Sequence, residues 1–157
     1  MEYLKLNKSA QALTAELKKH GLGTLAQDMD SNLSKLSQYS IKNMGTDLND
    51  MVQKFKPLPL EQEHPYCWLV WLARGCHFMF RSCQLNEQTS LLPSQAIKKA
   101  YEETLYNHHS MIAAGVSKAS FVLLQQTLDG STIDWSNILK HATHILQICD
   151  QHQIVYL

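Results

Sequence analysis

The amino-acid sequence predicts an all-α protein, and three observations support this. Valine and isoleucine are sparse, and no alternation of apolar and polar residues persists over the length of a strand. Glycine, proline and capping residues divide the chain into segments of helical length. Apolar residues recur at the helical period, most clearly at Leu22, Leu25, Met29, Leu33 and Leu36. Separately, the length of 157 residues predicts a single domain over residues 1–157.

The helix boundaries are predicted from capping residues, glycines and prolines. Ser9 would cap the first helix and Gly21 would end it. Thr46 or Asp47 would cap a short third helix, and Ser94 would cap the fifth. The predicted helices span residues 10–20, 24–42, a stretch before Pro57, 65–85, 95–115, 117–128 (separate from or continuous with the fifth) and 133 to near the C-terminus, with a proline-rich connector at 56–65 and a turn at 129–131.

The composition excludes some partners and suggests a place of action. The net charge is zero with histidines neutral, which argues against nucleic acid as a partner and against strong steering to an anionic membrane. Charged residues make up only 18%, which suits a chain that lines an apolar cavity and equally a subunit of an oligomer. The four cysteines form no C-x-x-C pair, which predicts reduced thiols in a cytoplasmic protein. We predict no transmembrane helix, because the most apolar segment, 67–80, contains Arg74 and His77.

Three polar residues share one side of the second predicted helix. Asp28, Asn32 and Lys35 lie at i, i+4 and i+7, directly beside the apolar stripe. A carboxylate, an amide and an ammonium group together offer the acceptors and donors that a ligand with several hydroxyls needs. The ordinary alternative is a solvated helix face, since such triples are common.

Two further segments carry candidate ligand-binding side chains. Trp68 and Trp71 are three residues apart, and a tryptophan beside a pocket can pack against a sugar ring. Buried core tryptophans are the ordinary alternative. We predict that residues 100–110 form a helix ending in His108 and His109, one of which would face inward. An inward histidine could bond a ligand amide or hydroxyl, although most such histidines are satisfied core groups.

These residues together resemble the glycolipid transfer protein family. Order, spacing and helical placement all agree, and the resemblance covers residues 25–112 best. The motifs are Asp28-x-x-x-Asn32-x-x-Lys35, then Trp71-Leu72-x-Arg74-Gly75-x-x-Phe78, then Ala100-Tyr101-Glu102 followed by His109. The resemblance implies an all-helical, two-layer sandwich in which a sphingolipid headgroup sits at the surface and the ceramide chains enter an apolar tunnel between the layers.

The resemblance also assigns roles residue by residue. Asp28 would accept hydrogen bonds from the ceramide amide N–H and a sugar hydroxyl, and Asn32 and Lys35 would bind further hydroxyls. Trp71 would stack on the first sugar, and His109 would donate to the amide carbonyl. His108 is not at the matching position. Tyr156 is an additional candidate near the headgroup.

The type of headgroup is predicted from two of these positions. A second branch of the family binds ceramide-1-phosphate and carries basic residues at the positions of Asn32 and Trp71, since a phosphate favours cations. The residue types here favour a glycosylceramide as the partner. Met111 stands where family members often carry a tryptophan that contacts the membrane, so transient membrane contact would rely on other groups, such as Met79, Phe80 or Met111 itself.

Parts of the sequence are also compatible with other functions. A sensor that binds a lipid without transferring it would need the same pocket, and a helical interaction module would need none. A metal protein could use His141, His144, Cys149 and His152, but Cys149 lies at a different helical angle from His141, and no carboxylate stands at a recognised spacing. No glycine-rich phosphate loop, nucleophile elbow or pair of catalytic carboxylates occurs, so we predict neither an enzyme nor a cofactor.

Overall fold

The computed structural model describes residues 2–130 and 132–157, and all the regular structure in these ranges is helical. Seven α-helices and one 3-10 turn are present in the described ranges. They are α1 (Glu2–Lys19), α2 (Gly23–Lys42), α3 (Leu48–Phe55), α4 (Pro65–Gln88), α5 (Pro93–Glu103), the 3-10 turn (Leu105–His108), α6 (Met111–Gly130) and α7 (Trp135–Gln151).

Helix α1 begins earlier than the sequence predicted, and Ser9 is not its cap. Tyr3 and Leu6 extend the buried stripe toward the N-terminus, so their burial favours helix beyond the predicted start. Ser9 lies buried inside α1, with its Oγ 2.5 Å from Nδ1 of His144 on α7. The predicted end is confirmed, because Gly21 adopts a φ of 79° just after the helix.

The boundaries of α2, α3 and α4 agree with the predictions to within about a turn. Asp47, one of the two predicted caps, accepts a hydrogen bond from the Leu48 amide at 2.8 Å. The N-cap of α4 is His64, whose Nδ1 accepts from the Cys67 amide at 3.1 Å, and Pro65 follows at the first helical position.

The predicted long fifth helix is wrong, because the chain breaks at Thr104. The Thr104 hydroxyl donates to the Ala100 carbonyl at 2.7 Å, and the backbone then forms the 3-10 turn that His108 closes. His109 is extended, so the histidine pair does not end a helix. Helix α6 begins at Met111, where the Ser110 hydroxyl accepts from the Ala113 amide at 3.2 Å.

The start of α5 and the end of α6 also differ from the predictions, because Ser94 and Asp129 are bonded to each other. Leu92, not Ser94, occupies the N-cap of α5. Ser94 instead donates from its amide at 2.9 Å and its hydroxyl at 2.7 Å to the Asp129 carboxylate. Asp129 and Gly130 are helical rather than part of a turn, and Ser131 of that predicted turn lies outside the described residues.

Helix α4 lies at the centre of the packing. It contacts α2, α3, α5 and α7, while α1 contacts α2 and α7, so that α1, α2, α4 and α7 form a closed ring of neighbours. On the other side of α4, α5 packs against it and α6 packs against α5. None of the described helices is long and apolar enough to cross a bilayer.

Candidate functional site

A cavity of about 320 Å³ lies between α2 and α4 on one side and α5, the 3-10 turn and α6 on the other. Most of its lining is apolar. The larger side chains that line it are Leu25, Met29, Phe78, Tyr101, Phe121 and Leu124. Gly75 also lines it, and a Cβ there would be in ordinary van der Waals contact with Met29 Cγ at 3.4 Å, so α2 and α4 lie close together at this point.

Four of the five principal candidate residues line this cavity, and they come from three separate segments of the chain. Asp28 and Asn32 belong to α2, Trp71 to α4, and His109 to the segment before α6. The rings of Trp71 and His109 are stacked, with centroids 6.0 Å apart. The structure therefore brings these side chains together, while their roles in binding stay predictions.

The Asp28 carboxylate has no protein partner among the described residues. Asp28 is exposed, and its carboxylate has no hydrogen bond or ion pair within residues 2–130 and 132–157. The Asn32 amide donates to the Asp28 backbone carbonyl at 3.2 Å, so the contact between these residues leaves both carboxylate oxygens available. An ionised carboxylate offers about four lone-pair sites, enough for two donors from one ligand.

The Tyr101 hydroxyl contacts the His109 ring. Its Nδ1 lies 2.8 Å from the Tyr101 hydroxyl oxygen, and Tyr101 is almost fully buried. Burial lowers the pKa of His109, the Asp28 charge opposes this shift, and Arg74 adds to it. The ring is therefore neutral near pH 7, with Nε2 left for a ligand.

Arg74 supplies a cation beside the cavity. Its guanidinium lies 4.8 Å from the centroid of the Trp71 ring, a cation–π contact. Its Nε is buried without a hydrogen-bond partner, and no ion pair to it occurs in the described part of the chain. Burial lowers the pKa of Arg74. The half-buried position agrees with the rule that arginine is rarely fully buried when unpaired.

Lys35 does not join the other four residues in lining the first cavity. Its Nζ lies 2.8 Å from Glu63 Oε1, in the connector before α4, and 6.0 Å from the centroid of the Trp68 ring. It lines a second cavity of about 270 Å³. The sequence could not indicate this, because the Glu63 partner is 28 residues away in a segment without helical periodicity.

Tyr156 also lies outside the lining of the first cavity. Its hydroxyl donates to Asp150 Oδ1 at 3.1 Å, and its ring is 5.7 Å from that of His77. Burial and the hydrogen bond to Asp150 raise its pKa to about 12. The structure thus engages Tyr156 with the end of α7 rather than with Asp28 or Trp71.

Two histidines in and just after α7 have hydrogen-bond partners. His144 bonds Ser9, and His152 Nδ1 lies 2.6 Å from Asn49 Oδ1. Within the described ranges, no three histidine, cysteine or acidic side chains are grouped to hold a metal ion. All four cysteines are free and buried.

A largely apolar cavity with a few polar and aromatic side chains at one place, inside a helical fold, has the features of a site for an apolar small molecule. The sequence model of the glycolipid transfer protein (GLTP) family matches residues 1–128, and the chain belongs to this family. The family is one of lipid transfer proteins and not of enzymes. No curated protein sequence matches the chain.

A solved structure has the same fold. It is the crystal structure of HET-C2, a fungal glycolipid transfer protein, which matches with a TM-score of 0.70 and 17% sequence identity. The match covers 97% of this chain and 81% of that chain. The predicted fold class, an all-helical two-layer sandwich of the glycolipid transfer protein type, is thereby confirmed.

Proposed function

We propose that this protein binds a glycosphingolipid at the first cavity and transfers it between membranes. The observation that carries the proposal is the convergence of Asp28, Asn32, Trp71 and His109 on one largely apolar cavity. Family membership supports glycolipid binding and transfer in general. The choice of lipid then follows from the chemistry of these side chains.

The polar groups match the parts of a glycosylceramide. The Asp28 carboxylate accepts from the ceramide amide N–H and from a sugar hydroxyl, and Asn32 binds another hydroxyl. His109 donates from Nε2 to the amide carbonyl. The sugar packs on the solvent-accessible part of the Trp71 ring, which is only partly buried. A lipid without these groups leaves polar atoms unpaired, at a cost of about 1–3 kcal/mol each.

The ceramide chains occupy the apolar lining. Each buried methylene contributes about 0.8 kcal/mol, so the chains supply most of the affinity and little of the selectivity. The cavity volume of about 320 Å³ lies at the lower end of the about 300–1,000 Å³ that ligand pockets span. This is small for two long chains. We therefore expect α6 to move outward. Only two of its side chains, Ala114 and Leu128, are buried, and this shallow packing favours the movement.

Helix α6 also supplies the surface for transient membrane contact. Met111 and Ile112 at its start are 93% and 82% exposed, and Val122 and Leu123 farther along are exposed as well. An exposed apolar surface of this kind suits contact with lipid. The four free cysteines support action in the cytosol.

Ceramide-1-phosphate is a second candidate, and Arg74 favours it. An unpaired guanidinium beside the cavity is a natural partner for a phosphate. Asn32 and Trp71 favour the sugar, because an amide and an indole add no charge and a flat ring suits a sugar face. A sensor that binds the lipid without releasing it to a second membrane needs the same cavity.

A vesicle transfer assay tests the proposal. Donor vesicles carry fluorescent glucosylceramide or ceramide-1-phosphate with matched chains, and acceptors are neutral vesicles. We expect transfer of glucosylceramide above the rate without protein and tighter binding of it than of the phosphate in parallel titrations. Tighter binding of the phosphate would overturn the headgroup assignment. Binding without transfer would establish a sensor, and binding of neither lipid would overturn the proposal.

A further inference from the structure

The second cavity lies beside the first one, along the contact between α2 and α4. Asn32 lines the first cavity and Lys35, almost one helical turn farther along α2, lines the second. On α4 the direction is reversed, since Trp71 lines the first cavity and Trp68, three residues earlier, lines the second. The two helices pack side by side, so the cavities follow one another.

The lining of the second cavity is polar and aromatic rather than apolar. It consists of Lys35, Gln38, Tyr39, Lys42, Glu63 and Trp68. These residues supply an amide, a phenol, a carboxylate, two ammonium groups and an indole. Such a mixture of donors and acceptors around an aromatic ring suits a hydroxyl-rich ligand. It does not suit an acyl chain, which would leave these groups without water.

Trp68 and Lys35 are the side chains best placed to hold such a ligand. The Trp68 ring is partly buried, and its Nε1 is buried without a hydrogen-bond partner in the described part of the chain. Tyr39 is fixed by an edge contact with Phe55, with ring centroids 5.5 Å apart. Lys35 Nζ and Glu63 Oε1 are 2.8 Å apart at this cavity. The negative charge of Glu63 disfavours a phosphate as the occupant, because like charges repel.

We propose that the second cavity binds the second sugar of a glycosphingolipid that carries two or more sugars. The inference rests on the proposed function, because the first sugar must be seated at Trp71 for the second to reach Trp68. The second ring packs on the Trp68 indole. Its hydroxyls bond to Lys35 and Glu63, which become contacts for the outer sugar. The protein therefore favours diglycosylceramides over monoglycosylceramides.

The test is a ratio of two affinities, measured by titration with vesicles that contain glucosylceramide or lactosylceramide of the same chain length. These lipids share the first sugar and differ only in the second. We expect the full-length protein to bind lactosylceramide about five- to tenfold more tightly, the size that one or two net hydrogen bonds and a ring contact supply. In Trp68→Leu the ratio should fall close to one. Trp68→Phe keeps a ring and should retain part of it.

Two control variants separate this subsite from the rest of the molecule. Trp71→Leu should weaken the binding of both lipids, because both place their first sugar at Trp71. Trp135→Leu removes a partly buried tryptophan at the start of α7 and should keep the ratio. Thermal melting of each variant identifies any that fail to fold. If Trp68→Leu is among them, Trp68→Phe decides the outcome through the part of the affinity ratio that it loses.

The possible outcomes distinguish this inference from the proposed function. Equal affinities of the full-length protein for the two lipids, or a preference that survives Trp68→Leu, would overturn the inference and leave the proposed function standing. Binding of neither lipid would overturn both. Free lactose serves as the third probe. Lactose binding that depends on Trp68, together with equal lipid affinities, would assign a site for free sugar and overturn the second-sugar assignment.

Discussion

The hydroxyl oxygen of Tyr101 lies 2.8 Å from Nδ1 of His109, although helix α5 ends between the two residues. The 3-10 turn brings the His109 ring back over Tyr101, with centroids 5.5 Å apart. Burial raises the pKa of Tyr101, and the nearby Ser117 hydroxyl opposes this shift. When the Tyr101 hydroxyl donates to Nδ1, Nε2 carries the N–H that a ligand carbonyl requires.

We predict that Tyr101→Phe weakens glycosylceramide binding by about three- to tenfold, because an unheld His109 ring loses its orientation and its fixed tautomer. Isothermal or fluorescence titration measures the change. Tyr106→Phe is the matched control, since Tyr106 is exposed and does not line the cavity. In a double-mutant cycle, Tyr101→Phe should cost little once His109→Ala is present. Additive losses would show that Tyr101 does not act through His109.

The lowered pKa of His109 predicts a loss of stability in mild acid. Its folded pKa lies below the unfolded value of about 6.5, mainly because burial disfavours the cation. Above that value both states are neutral and the contribution is fully present. As the pH falls through about 6.5 toward the folded pKa, the unfolded chain binds a proton that the folded chain does not, so the free energy of unfolding decreases.

Thermal melting between pH 8 and pH 5.5 checks this sign. The melting temperature should be nearly constant above about pH 7 and should fall below about pH 6.5. His77, His108 and His141 have pKa values lowered by burial as well, so His109→Gln should reduce the fall without removing it. An identical fall in His109→Gln would assign the effect to the other histidines. Glu16 and Glu103 have lowered pKa values and contribute only at more acidic pH.

Local signals in the sequence were enough for most of the fold. Asp47, Pro65 and Gly21 mark boundaries through their own backbone chemistry, so α2, α3 and α4 were predicted closely. Ser9 and Ser94 look like caps in sequence, but each bonds a residue distant in the chain, on α7 or α6. A capping preference of about 1 kcal/mol yields to such tertiary contacts and to burial of the surrounding stripe. The prediction of one domain over residues 1–157 stays a prediction.

The candidate site was predictable only in part. The order of the motifs identified Asp28, Asn32, Trp71 and His109, which the fold brings to one cavity. Periodicity could not place Lys35, because its direction is set by an ion pair with the connector. Nor could it indicate that the chain breaks at Thr104, although the break is what turns His109 toward Tyr101.

The bond between Ser94 and Asp129 fastens the end of α6 to the start of α5. The Asp129 carboxylate accepts from the amide and hydroxyl of Ser94, and so does the work of a cap for α5. We predict that Asp129→Ala lowers the free energy of unfolding by about 1–2 kcal/mol. For a chain of this size, about 2–4 °C of melting temperature corresponds to each kcal/mol. Asp50→Ala, an exposed acid on α3, is the control. An unchanged melting temperature in Asp129→Ala would show that solvent replaces this contact at no cost.

Asp28→Val provides the sharpest test of the headgroup site. Charge-assisted hydrogen bonds contribute about 1.5–3 kcal/mol each, so losing the two proposed for Asp28 lowers affinity by a factor of hundreds or more. The fold should be almost unaffected, because Asp28 is exposed, its carboxylate has no partner within the described ranges, and valine lowers helix propensity by less than about 1 kcal/mol.

The experiment measures vesicle-to-vesicle transfer of glucosylceramide and thermal melting on the same preparations. We predict that Asp28→Val abolishes transfer with a melting temperature close to that of the unmodified protein. Glu102→Val, which removes an exposed carboxylate of α5 that does not line the cavity, should keep both. Retained transfer in Asp28→Val would show that the carboxylate belongs to a solvated helix face. Loss of transfer together with a much lower melting temperature would contradict the prediction, because it would show that Asp28 stabilises the fold. No such role is expected, since Asp28 is exposed and its carboxylate has no hydrogen bond or ion pair within the described ranges.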